Sequence, residues 1–153
     1  MHIAYLADRP DDIEVLAPAM VEHWRHVLPE DTLDIRRAKL RDHLNTTELP
    51  IAWVAHEDGV ALGIAALRTY DLPGYEWFSP CLGGLFVLSA HRRKGIGSAL
   101  CRHVETCAAK LGHTRLFLFT LDQQSLYTGL GWSHLQKASW AGHDVDIMFR
   151  NIA

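Results

Sequence analysis

Ten consecutive residues, His91-Arg92-Arg93-Lys94-Gly95-Ile96-Gly97-Ser98-Ala99-Leu100, constrain this chain more than any other stretch. Before them runs the apolar segment Leu82–Leu88, which reads as a strand. After them Ile96, Leu100, Val104, Ala108 and Leu111 recur at helical spacing, with Arg102, Glu105 and Lys110 largely off that stripe, and Gly112 closes the helix. Leu116–Thr120 then reads as a second strand. A strand, a tight turn, a helix and a further strand make a crossover unit, and such a unit sets its two strands parallel.

The turn has the chemistry of an anion site. Gly95 and Gly97 bring no Cβ, so backbone and ligand can approach closely. The first-turn N–H groups of the helix lack intrahelical partners, and the helix dipole favours negative charge there. Arg92, Arg93 and Lys94 add attraction for a multiply charged group. A phosphate or pyrophosphate fits all of this, and so does a turn whose charges merely keep it solvated. Two familiar phosphate motifs fit poorly. A P-loop needs Lys and then Ser/Thr after its last glycine, whereas Ser98 follows Gly97 directly. A dinucleotide fingerprint needs a third glycine where Leu100 stands, and an acidic residue about 20 positions on, where the chain reads Arg115-Leu116-Phe117.

The rest of the chain surrounds this unit with antiparallel patterns. His2–Leu6 predicts a first strand. Pro10 in a first turn, then Ile13, Leu16, Ala17, Met20 and Val21, predicts a helix. A second helix is expected over Asp31–Asn45, with Leu33, Arg37, Leu40 and Leu44 on one side. Ile51–His56, the turn Glu57-Asp58-Gly59 and Val60–Thr69 read as a hairpin, and Asp71–Pro80 as a loop. Asp122 is placed to cap a short helix ending at Leu130-Gly131, before a last hairpin of Trp132–Ser139 and Asp144–Arg150 that turns at Ala141-Gly142. The expected fold is mixed α/β over one domain, residues 1–153: a mostly antiparallel sheet with one parallel crossover.

Composition narrows the function. With 15 Lys+Arg against 18 Asp+Glu, the net charge of −3 gives no field for nucleic acid or an anionic membrane. No apolar run approaches the ~20 residues of a bilayer span, and Met1–Tyr5 does not open a signal peptide, so a cytoplasmic location is expected. Cys81, Cys101 and Cys107 are expected as buried free thiols, since three is too few and too odd for a disulfide framework. Of 10 histidines, His23 and His26 are the one close pair, no third ligand accompanies them, and no metal is expected.

The order Arg92-Arg93-Lys94-Gly95-Ile96-Gly97 is similar to the (Gln/Arg)-x-x-Gly-x-(Gly/Ala) signature of the Gcn5-related N-acetyltransferase superfamily. Leu85–Leu88 resembles that family's splayed central strand, Leu126-Tyr127-Thr128-Gly129-Leu130-Gly131-Trp132 its aromatic-Tyr-x-x-x-Gly-aromatic element, and Val145–Met148 its closing strand. The likeness runs from about Ile51 to Met148. It implies helices on both faces of the sheet and acetyl-coenzyme A in the gap between two parted strands. Phe86 and Val87 would offer backbone groups to the pantetheine arm. The segment Arg92, Arg93, Lys94, Gly95, Ile96, Gly97 and Ser98 would cradle the pyrophosphate, with the Arg92 and Arg93 side chains free to stay outside it. Tyr127 would be the general acid, and the Val87 N–H would face the oxyanion.

The same resemblance exposes a departure. Relatives with an obvious base carry Glu or His on the central strand, but Cys81-Leu82-Gly83-Gly84-Leu85-Phe86 offers only a thiol. Glu76 and Asp71 in the adjoining loop are the nearest candidates for the base, with Glu22 and His23 further away and a water chain as the alternative. An amine of pKa about 10.4 is neutral in only about one molecule in 2,000 at pH 7, against about one in ten for an α-amine. A site without a strong base therefore suits weakly basic amines. The acceptor wall is expected from the first two helices and the loop, with Glu22, Trp24, Asp71 and Tyr75 touching the acceptor. An N-acetyltransferase acting on a small-molecule amine or a peptide N-terminus is the expected function. A cysteine-based covalent route, a non-catalytic acyl-coenzyme A sensor and a homodimeric assembly stand beside it.

Overall fold

The computed structural model describes residues 1–152. Its elements are β1 (His2–Tyr5), α1 (Ile13–Trp24), α2 (Leu33–Arg41), β2 (Ile51–Glu57), β3 (Val60–Arg68), β4 (Cys81–Val87), α3 (Ile96–Lys110), β5 (Arg115–Thr120), α4 (Gln124–Gly129), β6 (Ser133–Trp140) and β7 (His143–Asn151). One seven-stranded sheet runs β1-β2-β3-β4-β5-β7-β6. Every neighbouring pair is antiparallel except β4 and β5. The expected order of strands and helices and the single crossover are all present.

Burial on two sides explains the central strands. Ile51–Ala55 and Ala61–Leu67 are buried without a break, as expected of strands covered on both faces. Ile51, Trp53 and Leu82 join Leu100, Val104, Leu116 and Leu118 in the core under α3. Ala52, Val54, Ile64 and Phe86 turn to Leu16, Met20 and Leu40 under α1 and α2. A smaller cluster of Leu72, Val145 and Ile147, with Tyr75 and Phe78 against it, lets the loop between β3 and β4 cover part of β7. Among the described residues no helix is long and apolar enough to cross a membrane.

Two features open the sheet. Opposite Ala65 of β3, between the pairs Ile64↔Phe86 and Ala66↔Gly83, β4 carries the two residues Gly84 and Leu85. This bulge uses a left-handed Gly84, φ +59°, and bends the strand it sits in. Then β4 and β5 pair at one position only, Cys81↔Phe117, with Phe117 N–H donating to Pro80 O at 3.0 Å. Beyond that pair the two strands part.

Two local expectations are corrected. α2 spans Leu33–Arg41 and not Asp31–Asn45: Thr32 caps its start, Oγ1 accepting from Ile35 N–H at 3.2 Å, and past its end the Asn45 side chain donates to Asp42 O and Pro50 O, both at 2.9 Å. Asp31 instead takes two bonds from Arg36, at 2.9 and 2.6 Å, so Arg36 and not Arg37 turns into the core. Asp122 does not cap α4. Thr120 Oγ1 takes the Gln123 N–H at 2.9 Å there, and Gln123 is the residue before the helix.

Candidate active site

The parting of β4 from β5 leaves backbone groups without a neighbouring strand. Leu88 N–H donates to Leu62 O at 2.9 Å, and the Phe86 carbonyl also faces β3, where a Cβ on Gly63 would stand 2.8 Å from it. By the alternation of a strand, the N–H and C=O of Val87 point the other way, into the gap. The expectation for Phe86 is therefore narrowed. Its backbone belongs to the ladder with β3, and its ring faces α1, against Trp24 at 5.5 Å and His23 at 5.3 Å.

The glycine turn closes one end of the gap. Gly95 stands just before α3 at φ +79°, and no side chain among the described residues caps the helix. The N–H groups of the first turn are thus unclaimed, and a Cβ on Gly95 would meet nothing within 4 Å. Gly97 lies over Val87, a Cβ there standing 3.8 Å from Val87 Cγ2. Arg93 and Lys94 are exposed. The Arg92 side chain folds back, its Nε–H donating to Val87 O at 2.9 Å and its Nη2 lying 3.3 Å from His23 Nδ1. Arg92 thereby ties the turn to β4 and α1.

Tyr127 lies on the α3 side of the sheet. It is buried in that core, edge-on to Trp132 with centroids 6.2 Å apart. Burial first, then the nearby Cys101 and Asp71, push its phenol well above the usual tyrosine range, so it holds its proton at physiological pH. α4 is only six residues long and is pinned from behind. Arg150 Nη1 donates to Leu130 O at 2.8 Å, and Arg150 Nε pairs with Glu105 Oε1 at 2.6 Å.

On the other face, the end of β3 brings a polar group to the bulge. Arg68 Nη1 donates to Asp71 Oδ1 at 2.6 Å, and Arg68 Nε donates to His43 Nε2 at 2.9 Å. His43 Nδ1 lies 2.6 Å from Lys39 O. An acceptor Nε2 requires the proton on Nδ1, so the ring is neutral and donates to Lys39. Burial first, then the Arg68 charge, lower its pKa to about 4. The unfolded value near 6.5 lies above this, so as pH falls from 6.5 to 4 the unfolded chain gains a proton the native state refuses. Stability is expected to drop by about 3 kcal/mol across that window from this residue alone. His43→Gln should remove that drop in urea denaturation at pH 7, 5.5 and 4.

The remaining sequence candidates separate cleanly. Asp71 stands beside β4 with Arg68, and Trp24 packs against Phe86. Tyr75 is half-buried in the loop, near Trp77 and Phe78. Glu22 is exposed and pairs with Arg25 at 3.1 Å. Glu76 is exposed and accepts the Gly74 N–H at 3.1 Å, a bond that lowers its pKa and weakens it as a base. Burial raises all three thiols, Cys107 included, which makes each a poor nucleophile at pH 7. Burial pushes Cys81 and Cys101 up to about 12, and Cys81 Sγ donates to Phe78 O at 3.0 Å. Among the described residues no three His, Cys, Asp or Glu side chains are grouped to hold a metal. Arg68 and His43 were missed. Their signal was Arg68 and Asp71 three apart at a strand end, facing a strand with two adjacent glycines.

Known proteins share this fold. The family model described as an acetyltransferase (GNAT) domain matches residues 49–134, more than half of the chain. The chain belongs to the GNAT acetyltransferase family. N-acetyltransferase family 8 member 3 of Mus musculus is 31% identical over 115 residues, and member 7 is 30% identical over 115. Each match takes in 72% of this chain, which spans about half the length of these curated relatives, 49% and 48%. An aminoglycoside 6'-N-acetyltransferase solved with coenzyme A superposes over 100% of this chain and 98% of its own, with TM-score 0.74 and 20% identity. A ribosomal-protein-alanine N-acetyltransferase from Brucella melitensis gives TM-score 0.76 at 17% identity, over 99% of both chains.

Proposed function

We propose that this chain is an acetyl-coenzyme A-dependent N-acetyltransferase that moves the acetyl group directly to a primary amine. The amine belongs to a small molecule or to a peptide or protein N-terminus. The observation that carries this reading is the single-position pairing of β4 with β5, which leaves Val87 N–H facing a gap with the uncapped start of α3 at its mouth. The named activities of the relatives and of the enzyme solved with coenzyme A agree with it.

Acetyl-coenzyme A supplies an activated thioester. The N–H groups of Gly95 to Ser98 suit its pyrophosphate, since nothing caps them and no Cβ intrudes from Gly95 or Gly97. Val87 N–H is directed to where the acetyl oxygen gains negative charge. Tyr127, still protonated at pH 7, gives its proton to the departing sulfur. Trp24 and Tyr75 form part of the acceptor wall, and Asp71 replaces Glu76 as the carboxylate that meets the amine.

Calorimetric titration with acetyl-coenzyme A tests this, with coenzyme A and NAD as controls. Micromolar binding of both coenzyme A forms and none of NAD is expected, followed by thiol release with a panel of amines. Binding without thiol release from any amine would instead favour an acyl-coenzyme A sensor. Absence of binding would remove the coenzyme site.

A further inference from the structure

We infer that Arg68 and His43 are positioning residues, which hold the Asp71 carboxylate at the bulge of β4 so that its free oxygen receives the ammonium of a cationic acceptor. This rests on the acetyltransferase reading above and names how that site takes its second substrate.

The argument begins with the two glycines. A Cβ on Gly83 would stand 2.5 Å from Asp71 Oδ2 and 2.9 Å from its Cγ. A Cβ on Gly84 would stand 2.9 Å from Arg68 Nη2. The volume that β4 side chains would fill is thus taken by an ion pair from the end of β3 and the residues after it. Where the central strand brings no charge of its own, its glycines make room for one delivered from next door.

The hydrogen bonds then give that charge a direction. Arg68 Nη1 engages Oδ1 of Asp71, and Oδ2 accepts no hydrogen bond among the described residues. Arg68 is itself fixed, because its Nε–H is spent on His43 Nε2, and His43 is fixed on Lys39 O. Each donor and acceptor in this line has one assignment, so the carboxylate cannot rotate without breaking a charge-assisted bond. The side chains of Arg68 and Asp71 are 20% and 14% exposed, enough for one oxygen to meet a ligand and too little for free hydration. The charge also reaches Tyr127 across the gap, since Asp71 is among the groups that raise the phenol. The acceptor class that fits is a primary ammonium. It docks on Oδ2, loses one proton to water, and then presents its lone pair.

The test uses benzylamine, cationic at pH 7, and 4-methoxyaniline, neutral at pH 7, titrated into the protein saturated with coenzyme A. Asp71→Asn should weaken benzylamine by about 10–100-fold, the range of a hydrogen bond to a charged group, and leave 4-methoxyaniline unchanged. Arg68→Met and His43→Leu should weaken benzylamine in the same direction and to a lesser degree. His43→Gln keeps an acceptor for Arg68 Nε and should restore binding close to the parent. Coenzyme A affinity should be equal in all five proteins, which shows that each is folded. Equal benzylamine affinity in the parent and Asp71→Asn, or equal losses for both amines, overturns the inference. Failure of the acetyltransferase reading shows separately, as absence of thiol release from acetyl-coenzyme A with every amine.

Discussion

Tyr127→Phe is expected to lower amine acetylation by about 10²–10⁴-fold while coenzyme A affinity stays close to the parent value. The substitution deletes one oxygen from a ring that is otherwise held by packing. The ring stays edge-on to Trp132 inside the α3 core. The hydroxyl makes no hydrogen bond among the described residues, so its loss leaves no orphaned partner behind. A fall in rate then reports the proton and not a collapsed helix. Steady-state thiol release beside calorimetry separates the two quantities, and an unchanged kcat would take Tyr127 out of the reaction.

Arg36→Leu is expected to cost about 3–5 kcal/mol, the range for stripping one partner from a buried ion pair. For a chain of this size that is a fall in Tm of about 6–20 °C. The Arg36 and Asp31 side chains are 7% and 5% exposed, and both bonds go to Asp31 Oδ2 while Oδ1 has no partner among the described residues. Removing the guanidinium strands a carboxylate that cannot reach water. The loss also spreads toward the gap, because Arg36 lies 5.9 Å from the Trp24 ring, and Trp24 packs on Phe86. Replacing both partners, Asp31→Leu with Arg36→Met, should recover most of the stability, since no charge is then left behind. Thermal melts of the three proteins decide it; a single substitution as stable as the parent would show the pair to be idle.

What could be read from the sequence was what lies close together along the chain. The crossover, the glycine turn and Tyr127 sit at fixed spacings within Leu82–Trp132, and local periodicity and turn chemistry specify them. Asp71 was legible as a candidate, but the Arg68 and His43 that hold it at the bulge were hidden for the opposite reason. His43, Arg68, Asp71 and Gly83 come from four segments, and their meaning lies in contacts across the β3–β4 connection. In the sequence the glycines read only as a strand without an ionisable side chain. Residue type left Glu22 and Glu76 level with Asp71, because it says nothing about which way a side chain faces. The start of α2 was placed too early because Asp31, a good helix-start residue by type, is bound to Arg36 instead.

A sheet normally has two rims, and this one has four. By touching at Cys81 and Phe117 alone, β4 and β5 each present an unpaired margin in the interior of the molecule. An exposed margin of that kind invites another strand, with aggregation as the risk. Here it lies between helices packed on the two faces of the sheet, so neighbouring strands are kept away from it. The unsatisfied backbone that would be a hazard at the periphery is, in the middle, left open for the coenzyme proposed above.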